Sequence, residues 1–324
     1  MSLPNTFIIG APKCGTTSLS VYLGSHPQVF VCTPKEPQYW SKDITEADNY
    51  GLRNTADYLQ LFKSAKPAHK IIIDASTNYL WSNVAIDNIL EFNPAARFIV
   101  MLRNPVDIAH GYHMEMQLSL YENITSFEEA WSLQPERRIG RSIPPQCSDP
   151  QKLDYERIAC LGTQVERLLV KIPTQNVLIL YFDDLKVDPR SIYLKTLRFL
   201  GLADDGRISF PKQNPSRQLR SPRLSRLILR PPGFLAEFAR MTRSILWTFG
   251  VRNVRQALYR LINPARDRPP LSLPFRQQLT KRFLPEIQLL EMLTSRDLSH
   301  WKTYGNSMQI NHDSTSFMTN DCSS

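Results

Sequence analysis

The chain has 324 residues, 42% of them apolar, and a formal net charge of +9. That is ample apolar material for a substantial core, and no run is long and apolar enough to span a membrane, which takes about 20 residues. The five cysteines, Cys14, Cys32, Cys147, Cys160 and Cys322, are scattered without metal-ligand spacing, which argues against a disulfide framework or a metal site. With a first strand that starts almost at Met1 and no signal peptide ahead of it, the expectation is a cytoplasmic protein.

The run Thr6-Phe7-Ile8-Ile9-Gly10 predicts a buried strand. The turn Ala11-Pro12-Lys13-Cys14-Gly15-Thr16-Thr17 follows, and then a helix from Ser18. A strand–turn–helix with small residues and hydroxyls at the helix start is an anion cradle, because free N–H groups and the positive end of the helix dipole converge there. A nucleotide triphosphatase loop needs Gly-Lys-Ser/Thr, but Gly15 is followed by Thr16 and Lys13 precedes Gly15 by two residues. A phosphate held on Gly15, Thr16 and Thr17 would therefore place Lys13 beside whatever is attached to it.

Val29–Cys32 is a second candidate strand and leads into Thr33-Pro34-Lys35-Glu36-Pro37-Gln38-Tyr39-Trp40. Ile71–Asp74 is a third, followed by Ala75-Ser76-Thr77-Asn78-Tyr79. Phe98–Leu102 is a continuously apolar fourth strand, of the kind found in buried parallel sheets. It ends at Arg103-Asn104-Pro105-Val106-Asp107, where Pro105 suits the first position of a helix. Arg103 thus stands at the carboxyl end of a strand, where open α/β sheets bind ligands and a guanidinium can grip a phosphate through two parallel hydrogen bonds. Val177–Phe182 is a fifth strand, leading to Asp183-Asp184-Leu185, Asp188-Pro189, a helix and Phe199-Leu200-Gly201-Leu202. Strands separated by helical stretches predict one α/β domain over residues 1–301, a parallel sheet with helices on both faces in three layers.

Between Arg217 and Arg268 there are 12 arginines against only Glu237 and Asp267, interleaved with apolar runs. Residues 217–268 are therefore expected to form a basic helical insertion. Its readings are solvated helices packed on the core, a basic lid over an anionic donor, or a docking face for anionic glycans or lipid headgroups. Nothing besides charge points to nucleic acid. Asn263 to Pro270 reads as a linker to a closing helix spanning Leu279 to Asp297, and the polar residues 302–324 as a disordered tail.

The pattern G-x-P-K-x-G-T-[ST]-x-L resembles the 5′-phosphosulfate loop of sulfotransferases that use 3′-phosphoadenosine-5′-phosphosulfate (PAPS). The strand-Arg-Asn-Pro-x-Asp segment resembles their 3′-phosphate motif, and the segments after Val177 and near the chain's end agree more loosely. The resemblance, closest to the heparan-type and bacterial branch, covers residues 5–215 well and implies a P-loop-like sulfotransferase architecture. It implies donor contacts from Lys13, Cys14, Gly15, Thr16, Thr17, Ser18 and Arg103, with Lys13 on the leaving oxygen and no metal required. A family serine eight residues after the arginine is here Gly111, whose backbone N–H, or the imidazole of His110, would have to serve instead. Arg217 and Arg220 fall where a late basic donor loop is expected. Glu36 matches the glutamate base of heparan-type members; His113 and His110 are rival bases. A family lysine is replaced by Ala75, with Ser76 next to it still able to touch donor or acceptor.

The acceptor stays open among carbohydrates, lipids and small alcohols or phenols. Two other readings stand beside transfer: a P-loop kinase or NTPase with a degenerate loop, and a catalytically silent protein that binds PAPS or glycan.

Overall fold

The structure, a computed structural model, describes residues 3–44, 52–211, 224–225, 263 and 268–303. Strand β1 (Thr6–Ile8) leads to helix α1 (Thr16–Gly24), and β2 (Val29–Val31) to α2 (Thr55–Gln60). β3 (Ile71–Ala75) is followed by α3 (Ala85–Phe92), and β4 (Arg97–Leu102) by α4 (Pro105–Leu118). The long connection after β4 carries α5 (Phe127–Ser132), α6 (Gln134–Arg138), α7 (Tyr155–Ala159) and α8 (Leu161–Lys171). Next come β5 (Val177–Tyr181), α9 (Phe182–Val187) and α10 (Pro189–Leu200), and the described chain ends on α11 (Leu273–Thr294) and α12 (Ser299–Lys302).

The strands form one parallel sheet in the order β2-β3-β1-β4-β5. Its registers pair Ile8 with Ala75 on one side of β1 and Phe7 with Phe98 on the other. The central strands are buried along almost their whole length because helices cover both faces, which is why they read as unbroken apolar runs. The Phe7 and Phe98 rings stack at 5.7 Å, in the middle of the core. The chain moves from β1 to β2 in one direction and from β3 to β4 in the other. Right-handed crossovers then put α1 on one face and α3 on the opposite one. α10 packs beside α1, while α11 packs along α8 and α4.

Local chemistry sets the helix starts. The Asn104 side chain accepts from Val106 N at 3.0 Å with Pro105 at the first helical position, and Asp188 caps α10 ahead of Pro189 in the same manner. α11 starts six residues before the expected Leu279, because Ser272 caps it through Phe275 N. The five strands fall where the apolar runs placed them, and α9 begins immediately at the end of β5. Residues 302–303 are still described, while the rest of the expected tail, and the basic insertion apart from 224–225, 263 and Arg268, lie outside the described residues. Among the described residues no helix is long and apolar enough to cross a membrane.

Candidate active site

The site lies at the carboxyl edge of the parallel sheet, above β1, where the direction of winding reverses. Pairing with β4 continues past the end of β1, since Ile9 N donates to Ile99 O and Ala11 N to Met101 O. The loop then turns sharply. Lys13 has φ 65° and Gly15 has φ 84°, both in the left-handed region that a lysine rarely adopts and glycine adopts freely. Gly15 is the N-cap of α1, and no side chain caps the helix there. The first N–H groups of α1 are therefore not taken by a cap side chain, which suits an incoming anion.

Thr16 is buried at this helix start, with Thr17 and Ser18 half-buried beside it. Cys14 is different. Its thiol is buried in the core, donates weakly to Pro12 O at 3.5 Å, and is pushed well above the usual thiol range by burial. Only its backbone N–H is left to serve a ligand. The Lys13 ammonium lies 3.7 Å from the Glu115 carboxylate on α4, and both side chains are partly exposed.

Arg103 ties the second motif to the first. Its Nη1 donates to the Lys13 carbonyl at 3.2 Å, its Nη2 reaches Asp107 at 3.3 Å, and its guanidinium stacks 4.5 Å above the Phe182 ring. Phe182 also closes on the loop, because a Cβ on Gly15 would lie 2.9 Å from the Phe182 ring. The sequence marked Phe182 only as a strand end, and its packing role became visible when α9 was placed over the loop.

Asp107 is a hub. Arg276 from α11 bonds its other carboxylate oxygen at 3.2 Å, and Arg268 donates Nη1 to its main-chain carbonyl at 2.8 Å. Burial opposes ionisation of Asp107, but Arg103, Arg276 and Arg268 outweigh it and hold the carboxyl below its ordinary range. On the next turn of α4, the Arg268 guanidinium lies where a side chain at Gly111 would begin, 2.6 Å from the position of a Cβ there. Arg217 and Arg220, the arginines expected in the late donor loop, lie outside the described residues. Arg268 and Arg276 were not picked out as site residues in the sequence, because charge density alone does not separate a ligand contact from a solvated face.

Glu36 stands on the other side of β1, after β2. Lys35 Nζ bonds its Oε1 at 3.0 Å, and Gln38 Nε2 and the Thr77 N–H and hydroxyl donate to its Oε2 at 2.7, 3.0 and 2.6 Å. Burial raises its pKa, but Lys35 and Thr77 outweigh that and hold it below the usual carboxylate range. Its pairing with Lys35 is real, and a quarter of the side chain still faces solvent.

Behind it, Ser76 donates to Asp74 Oδ1 at 2.8 Å and accepts from Gln38 N at 3.1 Å. Tyr58 and Tyr79 both donate to Asp74 Oδ2 at 2.8 Å. Burial raises the Asp74 carboxyl to about 6 despite these three donors. Asp74 thus anchors the loop that carries Glu36. Ala75, at the position of the family lysine, is buried within the sheet.

The two histidines sit elsewhere on α4. His113 is buried, its Nε2–H donates to Ile124 O at 3.0 Å, and its ring packs against Phe127 and Tyr155. His110 stacks on Phe127 at 5.3 Å. Burial, the largest cause for both, lowers each to about 4. Both line a cavity of about 400 Å³ with Gln117, Phe127 and Phe275, which shares no residue with the Lys13 loop or Glu36. Among the described residues, no group of three or more His, Cys, Asp or Glu side chains could hold a metal ion.

The sequence model described as "Sulfotransferase family" matches residues 4–206. The chain belongs to the sulfotransferase family.

Within it, Carbohydrate sulfotransferase 15 of Homo sapiens is 37% identical over 145 residues, covering 32% of this chain and 26% of that protein. Bifunctional heparan sulfate N-deacetylase/N-sulfotransferase 3 of Homo sapiens is 25% identical over 210 residues, covering 62% of this chain and 22% of that protein. The chain thus spans about a quarter of the length of the curated relatives it matches. Among solved structures, a sulfotransferase from Alicyclobacillus acidocaldarius superposes with a TM-score of 0.68 at 23% identity, covering 94% of this chain and 100% of that one. That likeness shows the shared sulfotransferase fold.

Proposed function

We propose that this sulfotransferase-family chain moves the sulfuryl group of PAPS to a hydroxyl or amine of a carbohydrate. The observation that carries the reading is the Arg103–Lys13 hydrogen bond at 3.2 Å, beside a helix start with no side-chain cap. It puts a bidentate anion-gripping group and a lysine-bearing anion cradle in one site, as a nucleotide with phosphates at both its 3′ and 5′ positions requires. The carbohydrate acceptor follows the printed names of the relatives, Carbohydrate sulfotransferase 15 and the heparan sulfate N-sulfotransferase.

In this reading Gly15, Thr16, Thr17 and Ser18 hold the 5′-phosphate through the start of α1, with Cys14 contributing only its N–H. The acceptor oxygen or nitrogen attacks sulfur in line with the departing phosphate. A bond forms from acceptor to sulfur, and the bond from sulfur to the 5′-phosphate oxygen breaks. Lys13 leaves Glu115 and neutralises the charge on that oxygen, for which a compact ammonium is well suited. The acceptor's proton passes to the Glu36 carboxylate. Because Glu36 is held below the ordinary range, this transfer becomes favourable only as the new bond to sulfur acidifies the acceptor. His113, with Nε2 committed to Ile124, is the weaker choice of base. The free thiols of Cys14, Cys32, Cys147 and Cys160 support a reducing compartment such as the cytoplasm.

The test is transfer of labelled sulfate from PAPS to a panel of glycans, with ATP hydrolysis followed in parallel. Labelled glycan without ATP turnover is the expected result. ATP turnover without labelled product would favour a nucleotide triphosphatase instead.

A further inference from the structure

A side chain at position 111 and the guanidinium of Arg268 would exclude one another. A Cβ on Gly111 would lie 2.6 Å from Nη2 of Arg268 and 2.7 Å from both Cζ and Nη1. No side chain fits at position 111 while Arg268 stays where it is. Asp107 and Gly111, four residues apart on α4, lie one above the other on one face, and Arg103, just ahead of the helix, extends that stripe through its bond to Asp107. Arg268 lies across that stripe, mostly buried, with Nη1 on the Asp107 carbonyl at 2.8 Å. Its contact with the stripe is therefore specific in position as well as charge.

The charge around Asp107 does not cancel. Arg103 and Arg276 share its two carboxylate oxygens at 3.3 and 3.2 Å. Arg268 bonds only the neutral carbonyl. Glu115, two turns beyond Asp107, faces Lys13 and lies close enough to act on Arg268 as well. Three guanidinium groups and the Lys13 ammonium thus face two carboxylates, Asp107 and Glu115. Assembling like charges in a half-buried cleft is unfavourable unless an anion joins them, so such an excess marks a site for a multiply charged anion.

We infer that Arg268 takes the place of the family's serine hydroxyl, donating with Arg103 to the 3′-phosphate of the nucleotide, and that Gly111 is there to make room for it. The inference rests on the PAPS reading and deepens it. It makes Arg268 a specificity residue, set to recognise the 3′-phosphate and indifferent to the 5′ end. It also gives Gly111 a positive role: at position 111 the chain replaces a short neutral donor on the helix with a long charged one from the segment ahead of α11.

The test is calorimetric affinity for two probes, 3′-phosphoadenosine 5′-phosphate and adenosine 5′-phosphate, in the full chain and its variants. Arg268→Ala should weaken the bisphosphate by about 10- to 100-fold, as for a lost charge-assisted hydrogen bond, and leave the monophosphate unchanged. Gly111→Ala should do the same, because the new methyl displaces the guanidinium. Alanine favours a helix interior over glycine, so this loss cannot come from a weakened helix. The double variant should be no worse than either single one, and Gly111→Ser with Arg268→Ala should recover part of the loss. Arg268→Lys, which keeps the charge, should lose less than Arg268→Ala and guards against a variant that fails to fold. A wild-type chain that binds both probes equally would sink the PAPS reading, and this role with it. A wild-type chain that discriminates, with Arg268→Ala, Arg268→Lys and Gly111→Ala all binding the bisphosphate as tightly, would overturn the role of Arg268 alone.

Discussion

The Arg103 guanidinium bonds the main-chain carbonyl of Lys13 at 3.2 Å. The residue assigned to the far phosphate of the donor therefore also fixes the backbone of the loop assigned to the near one. Its effect on binding should reach both ends of the nucleotide. Arg103→Lys keeps the charge but loses the fork and the stacking on Phe182. It should weaken 3′-phosphoadenosine 5′-phosphate by about 10- to 100-fold and, unlike Arg268→Ala, weaken adenosine 5′-phosphate as well. A loss confined to the bisphosphate would show that the tie to the loop carries no weight.

Glu36 is held by four donor contacts and stays ionised. Glu36→Gln should keep donor affinity near the wild-type value and slow transfer by roughly 100-fold or more, as for loss of a general base. His113→Gln keeps a donor for Ile124 and should retain most of the rate. The reverse pattern in initial rates at saturating donor would move the base to His113.

Glu122 and Arg137 form a buried ion pair, with Arg137 Nη1 and Nη2 at 2.6 and 3.0 Å from the two Glu122 oxygens and Tyr155 donating at 2.5 Å. Both side chains are almost wholly inaccessible. Removing one partner strands the other charge, so Glu122→Gln should cost about 3–5 kcal/mol in urea unfolding. Replacing both residues with apolar ones of similar volume should cost far less than the sum of the two single changes. A Glu122→Gln chain as stable as the wild type would contradict the buried pair.

His110 and His113 are held neutral, each lowered from an ordinary 6.5 to about 4, chiefly by burial. Below pH 6.5 the unfolded chain takes up protons that the folded chain refuses. Stability contributed by each histidine is therefore complete above its unfolded pKa and is lost as pH falls from about 6.5 to about 4, by on the order of 3 kcal/mol per residue. His113→Gln should flatten the decline over that window in urea titrations at several pH values. Parallel wild-type and variant curves would show that His113 is not buried neutral.

The sheet and the anion cradle were legible because their signals are local. An unbroken apolar run is what a strand covered on both faces requires, and β1, β3 and β4 are covered on both. Asn104 and Pro105 announce the start of α4 by their own capping chemistry. The charge hub was not legible. Arg268 reaches Asp107 across 161 positions, and in sequence it is one of 12 arginines in a segment whose composition fits a linker or a solvated helix equally well. At Gly111 the sequence shows a missing side chain, and only the fold shows the Arg268 guanidinium lying in that space. Asp74 was likewise one letter in a motif, and only the fold brings Tyr58 and Tyr79 onto it.

The central claim is that Lys13 acts on the leaving oxygen of a PAPS sulfuryl group, and the most direct measurement compares Lys13→Ala with wild type at saturating PAPS. Release of 3′-phosphoadenosine 5′-phosphate with an active glycan acceptor should fall by roughly 100-fold or more, as for loss of a preorganised charge partner in the transition state. Donor affinity should change by less than about tenfold, because the N–H groups of the loop still hold the 5′-phosphate. A Lys13→Ala chain that releases the bisphosphate at the wild-type rate would contradict the account.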